Sequence, residues 1–216
     1  MIDPKRAALI MIDMQNGFID PSSSLCVAGA AETVPACTRA LAAAREAGMT
    51  VFHVRREYAA DGSDVEPVRH RIWLEGGRPL CAEGDDPKSL EAPDPLKPAD
   101  GDRVLMKPRF SAFFGTPLDD MLRREGIDTV VLIGTTTPNC IRSTCYDALS
   151  LNYNVAVIED CTSSRNPQVQ AANIEDMAFI GASVLDCATF CARGLADMPD
   201  VAAEVAEAVR AYRDVR

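Results

Sequence analysis

Residues 129–140 read Thr-Val-Val-Leu-Ile-Gly-Thr-Thr-Thr-Pro-Asn-Cys. The first five form a short, unbroken apolar run rich in β-branched side chains, the pattern of a strand covered on both faces. The Gly/Thr/Pro turn that follows changes abruptly into a helix expected from about Ile141 to Leu151. A doubly covered strand running straight into a helix belongs to a parallel sheet flanked by helices.

The same unit repeats outward from this stretch. Upstream, Ala7 to Met14 reads as a strand. A helix is expected from Glu32 to Ala47, where Val34, Cys37, Leu41 and Ala44 recur at helical spacing and Gly48 supplies the stop. Thr50 to Val54 is a second strand and Asp102 to Lys107 a third. Thr116-Pro-Leu-Asp119 is a helix start, with Thr as cap, Pro in the first turn, and Asp119 and Asp120 complementing the dipole. Downstream come a strand from Asn154 to Ile158, a helix opened by Asn166-Pro167, a strand from Ala182 to Leu185, and a closing helix from Val201 to Tyr212. The expected architecture is one α/β domain over residues 1–216, a six-stranded parallel sheet in three layers with helices on both faces. Residues 57–102 interrupt the alternation. They hold six of the fourteen prolines and show no sustained period, as expected of a lid-like functional loop.

With 32 acidic against 22 basic residues the net charge is −10, and no basic run occurs, which argues against a nucleic-acid partner. No apolar run approaches the length of a membrane span, and no secretory leader pattern opens the chain. Eight cysteines are scattered without a CxxC pair, so a cytoplasmic protein with mostly buried, reduced thiols is expected.

Ligand sites in open α/β sheets lie at the carboxyl ends of the strands. Three polar residues end otherwise apolar strands there: Asp13, Lys107 and Cys140. Singly, each has a plain alternative as a cap, a solvated strand end and a small buried residue. Together at one sheet edge they suit nucleophilic catalysis. Backbone N–H groups at a helix start and a nearby ammonium favour a Cys140 thiolate, while Asp13 takes the thiol proton and returns it to a leaving amine.

Leu9-Ile-Met-Ile-Asp-Met-Gln-Asn-Gly-Phe-Ile-Asp20, Lys107-Pro-Arg-Phe-Ser-Ala-Phe113 and Gly134-Thr-Thr-Thr-Pro-Asn-Cys-Ile141, continued by Asp147-Ala148, resemble three motifs of the isochorismatase-like cysteine hydrolases, in the family's order. The resemblance spans residues 7 to about 190. It implies a triad of Cys140, Asp13 and Lys107. It also implies a cis peptide in the Thr135-Thr136 stretch and an oxyanion hole from the N–H groups of Thr136 and Cys140. The implied reaction is hydrolysis of a small amide, ureido or carbamoyl compound through a thioester, without a cofactor, in a homodimer or homotetramer. The carbamoylsarcosine, ureidoacrylate and biuret-type branch is the nearest in kind. The family's vinyl-ether-cleaving members lack the cysteine. An ether hydrolase and a noncatalytic thiol or redox module remain as alternatives.

The nicotinamidase branch adds a metal held by an Asp and two histidines after the second strand. Here only His53 and His70 occur, at the wrong spacing, so no metal is expected. Candidate substrate contacts are Arg109, through its planar fork, Phe18 and Phe113 beside the motifs, and Trp73 as an exposed lid or interface residue. Arg55, Arg56 and Glu57 follow the second strand and are further candidates.

Overall fold

The computed structural model describes residues 2–214. After a 3-10 turn at Pro4–Arg6, β1 (Ala7–Ile12) leads into the short α1 (Asn16–Ile19) and then α2 (Ala30–Glu46). β2 (Thr50–Arg55) is followed by α3 (Pro67–Glu75), two further 3-10 turns at Pro87–Leu90 and Asp94–Leu96, and β3 (Arg103–Met106). Then come α4 (Leu118–Arg124), β4 (Thr129–Thr135), a π-helical turn at Thr137–Ile141 and α5 (Arg142–Ser150). β5 (Asn154–Ser163), α6 (Pro167–Phe179), β6 (Ser183–Leu185), α7 (Cys187–Arg193) and α8 (Val201–Asp214) complete the chain.

The six strands form one parallel sheet in the order β3-β2-β1-β4-β5-β6. Successive side chains of a strand point to opposite faces, and β1 divides accordingly. Ala7, Leu9 and Met11 pack with Cys37, Ala40 and Leu41 of α2 and Phe190 of α7. Ala8, Ile10 and Ile12 pack with Leu118 and Leu122 of α4, Ala148 of α5 and Met177 of α6. Helices thus cover both faces, as the doubly apolar strands require.

The 57–102 segment is more ordered than its composition suggests. It contains α3, and Tyr58, Val65, Trp73, Leu80 and Cys81 join Phe18 in a separate apolar cluster. Trp73 is 1% exposed, stands edge-on to Tyr58 and donates its indole N–H to the Pro79 carbonyl at 2.9 Å. The expectation of an exposed tryptophan is corrected: with a solvent-facing ring this segment would have no core of its own. Asn16 and Gln15 tie it to the loop after β1 through the carbonyls of Lys88, Leu90 and Glu91.

Smaller differences have local causes. α4 starts at Leu118, with the Thr116 hydroxyl accepting from its N–H at 3.3 Å. β5 continues past Ile158 to Ser163 because a register shift opposite Leu132–Gly134 lets Thr162 and Ser163 rejoin β4. α7 adds a helix between β6 and α8, and its N-cap Asp186 accepts from the Thr189 N–H.

Candidate active site

Four neighbouring strands, β3, β2, β1 and β4, deliver Lys107, Arg56, Asp13 and Cys140 at or just past their carboxyl ends. Asp13 follows β1 in the left-handed region, φ 54°, where non-glycine residues are uncommon. Its N–H donates to the Val54 carbonyl, and its own carbonyl accepts from the Gln15 N–H. This places the carboxylate beneath the loop after β4. Gly134 makes that approach possible: at φ 113°, a Cβ there would sit 2.1 Å from the Ile12 carbonyl oxygen.

The Thr135–Thr136 peptide is cis. Beyond it the chain turns at once into the Thr137–Ile141 turn that carries Cys140. The hydroxyls of Thr136 and Thr137 both donate to the Ser163 carbonyl, at 3.0 and 2.9 Å, fixing the loop to β5. No acceptor for the Thr136 N–H occurs among the described residues.

Lys107 Nζ lies 2.8 Å from Asp13 Oδ2 and 3.5 Å from Cys140 Sγ, and donates to the Arg109 carbonyl at 2.9 Å. All three side chains are at most 3% exposed. The loop after Lys107 is locked to the nucleophile's helix. Ser111 donates to Asp147 at 2.5 Å, the Ala112 N–H to the Thr144 hydroxyl, and that hydroxyl to the Cys140 carbonyl. This accounts for Asp147 in the third motif. Asp13 Oδ2 is thus engaged by Lys107, and the carboxylate accepts no further well-aligned hydrogen bond among the described residues.

Opposing influences act on the sulfur. Burial pushes the Cys140 thiol up to about 11; Lys107 and Arg56 pull it down, but Asp13 opposes them. The sulfur therefore sees an ion pair rather than a lone ammonium, and desolvation of the thiolate decides its state.

The remaining candidates fall elsewhere. Phe18 packs in the cluster around Trp73, and half-buried Phe113 stacks on Tyr153 with ring centres 5.9 Å apart. Arg109 donates to the Asp64 and Pro108 carbonyls and forms no ion pair among the described residues. Cys145 and Cys161 are fully buried.

The place after β2, where a nicotinamidase-type metal would need Asp and His donors, holds Arg56. His53 points instead to Asp102, 2.8 Å away, and His70 packs against Trp73. These residues do not fit a divalent cation, because a buried guanidinium would repel it. No group of three or more metal-ligating side chains occurs among the described residues.

Arg56, named in the sequence only as a neighbour of the second strand, is central. It is 1% exposed, lies 2.9 Å from Glu66 Oε1, and its guanidinium carbon sits 5.3 Å from the Tyr58 ring centre. Tyr58 donates to Glu66 Oε2 at 2.9 Å. Gln15 clamps the Arg56 backbone from both sides, at 2.7 and 2.9 Å. No sequence spacing links Gln15, Arg56, Tyr58 and Glu66; only folding the 57–102 segment over the sheet edge joins them.

The Isochorismatase domain model matches residues 7–189. A probable inactive nicotinamidase of Arabidopsis thaliana is 39% identical over 184 residues, 82% of this chain and 90% of that protein. A crystal structure of an isochorismatase family protein from Desulfovibrio vulgaris is 45% identical, covering 86% of this chain and 96% of its own, with a TM-score of 0.80. That of N-carbamoylsarcosine amidase from Thermoplasma acidophilum is 34% identical, covering 84% and 96%, with a TM-score of 0.68.

Proposed function

The chain belongs to the isochorismatase family, and we propose that within it this protein is a cysteine-dependent amidohydrolase that cleaves a C–N bond of a small amide, ureido or carbamoyl compound. The observation that carries this reading is the meeting of Cys140 Sγ, Lys107 Nζ and Asp13 at one sheet edge. Similarity to an amidase from Thermoplasma acidophilum supports it.

Cys140 Sγ attacks the carbonyl carbon while its proton passes to Asp13 as general base. The oxyanion that forms is received by the N–H groups of Thr136 and Cys140, each donor contributing roughly 3–4 kcal/mol where essential. Asp13 then gives the proton to the departing nitrogen, and ammonia or an amine leaves a thioester. Asp13 next draws a proton from water, whose oxygen attacks the thioester, and the proton returns to sulfur. Lys107 holds the Asp13 carboxylate toward the sulfur and stabilises the passing negative charge. Every group needed belongs to this chain or is water.

The 57–102 segment, anchored on α1 and supplying Glu66 and Tyr58 around Arg56, acts as the lid over the site. The eight free cysteines suit a reducing cytoplasm, and no helix among the described residues is long and apolar enough to cross a membrane. The exposed Val201, Val205 and Val209 of α8 favour a homodimer or homotetramer.

The test is ammonia release over a panel of small amides, ureas and carbamoyl compounds, with wild type and Cys140→Ala compared on each. Turnover that Cys140→Ala abolishes is expected; turnover that survives the substitution rejects the reading. A noncatalytic thiol module, favoured by the sealed Cys140 and by the name of the Arabidopsis relative, requires that no compound releases ammonia.

A further inference from the structure

Buried polar atoms without partners are rare in folded proteins and call for an explanation. Near the triad the Nε and Nη2 donors of Arg56 are such atoms, whereas Asp13 Oδ2 is engaged by Lys107 at 2.8 Å. Nη1 of the same guanidinium is occupied, donating to the Pro108 carbonyl at 2.6 Å and lying 2.9 Å from Glu66. The free donors are not scattered. Nε and Nη2 share one edge of the planar group, and their N–H bonds run side by side, the fork that matches both oxygens of a carboxylate.

The backbone fixes where this fork sits. Gln15, two residues after Asp13, grips the Arg56 main chain, and Pro108, next to Lys107, takes Nη1. Arg56 follows β2, the strand between those that carry Asp13 and Lys107. Its charge is felt by Asp13 and Cys140 alike; although burial opposes it, Tyr58, Asp13, Glu66 and Cys140 keep the guanidinium firmly protonated. The ions at the site leave room for one more anion. Arg56 and Lys107 are balanced by Glu66 and Asp13, whereas half-buried Arg109 has no carboxylate partner among the described residues.

We infer that Arg56 is the specificity-determining residue of this site, and that its Nε–Nη2 edge binds the carboxylate of a short amide acid whose amide group is presented to Cys140. This rests on the amidohydrolase reading for the reaction but not for the binding. A neutral amide would leave the fork unpaired in a dry pocket. An anionic one satisfies it, with its amide group beside Cys140 and Asp13.

The test uses Cys140→Ala protein, so that binding is measured without turnover, and calorimetric titration with three acids, oxamate, malonamate and succinamate, each against its neutral diamide. At least one acid is expected to bind roughly tenfold to a hundredfold tighter than its diamide. Adding Arg56→Met should erase that preference, and adding Arg56→Lys should keep only part of it, since an ammonium has charge but no fork. Should Arg56→Met misfold with Glu66 left buried and unpaired, Arg56→Met/Glu66→Gln removes both charges and gives the same reading. A merely structural ion pair would leave the acid-to-diamide ratio unchanged. An unchanged ratio overturns the inference, as does failure of all three acids to bind. Selective binding without ammonia release from wild type would instead remove the hydrolase reading and leave Arg56 as an anion site. Ammonia release that ignores the carboxylate would do the reverse.

Discussion

Asp13 and Lys107 stand 2.8 Å apart, carboxylate to ammonium, although their strands are not neighbours: β2 lies between β1 and β3. Both side chains are sealed from solvent, and each cancels much of the other's field at Cys140. Burial raises the thiol to about 11, Lys107 pulls it down and Asp13 pushes it up. In the proposed mechanism the proton passes from sulfur to Asp13 at the moment of attack.

Asp13→Asn removes the anion that keeps the proton on sulfur, leaving Lys107 and Arg56 unopposed. The thiol should become more acidic than its present value of about 11, and alkylation by iodoacetamide at fixed pH should speed up. Ammonia release should fall about 10²–10⁴-fold with loss of the general base. Faster labelling with slower turnover is the signature; slower labelling would show that Asp13 does not govern the sulfur's proton.

The raised thiol also affects alkaline stability. An ordinary cysteine ionises near 9.0, and Cys140 near 11. Between these values the folded state holds a proton that the unfolded state has lost, so stability falls as pH rises. The contribution is intact below pH 9 and gone above 11, on the order of 2–3 kcal/mol in all. Urea titrations at pH 8 to 11 should show a steeper decline for wild type than for Cys140→Ala. Parallel declines would contradict the assignment.

Gly134→Ala should destabilise the protein by at least about 2 kcal/mol, since the position combines a positive φ with a Cβ driven into the Ile12 carbonyl. Ammonia release should fall further than stability alone accounts for, because the β1 and β4 ends are forced apart. A urea midpoint unchanged from wild type would refute the close approach.

Much of this was legible in the chain itself. The apolar runs at Ala7–Ile12 and Thr129–Ile133 each suffice for a doubly covered strand, and the alternation with helices fixes a parallel sheet. From that topology alone, Asp13, Lys107 and Cys140 fall at one edge. Two things were not legible. The state of the thiol depends on which charge wins at a buried point, and the sequence places the ammonium and the carboxylate there without ranking them. Arg56 joins the site only through Gln15, Glu66 and Tyr58, held by long-range packing that follows no period. Trp73 misleads for a related reason: within a proline-rich stretch it reads as exposed, yet it is the centre of a small core.

That small core gives the lid its own test. Trp73→Ala should loosen residues 57–102, losing roughly 3–5 kcal/mol of local stability, and should expose the segment to protease while the sheet stays intact. Hydrolysis should slow and Cys140 should alkylate faster. Cleavage spread evenly along the chain would mean that the segment is not a separate unit over the site.

The account stands or falls most directly on the sulfur of Cys140 during turnover. Wild-type protein mixed with an amide that it hydrolyses, quenched in acid within the first turnovers and weighed intact, should carry the mass of the acyl fragment on Cys140 alone, with one equivalent of ammonia or amine already released. Sustained hydrolysis with no adduct on that cysteine, or with the adduct on any other residue, would contradict it.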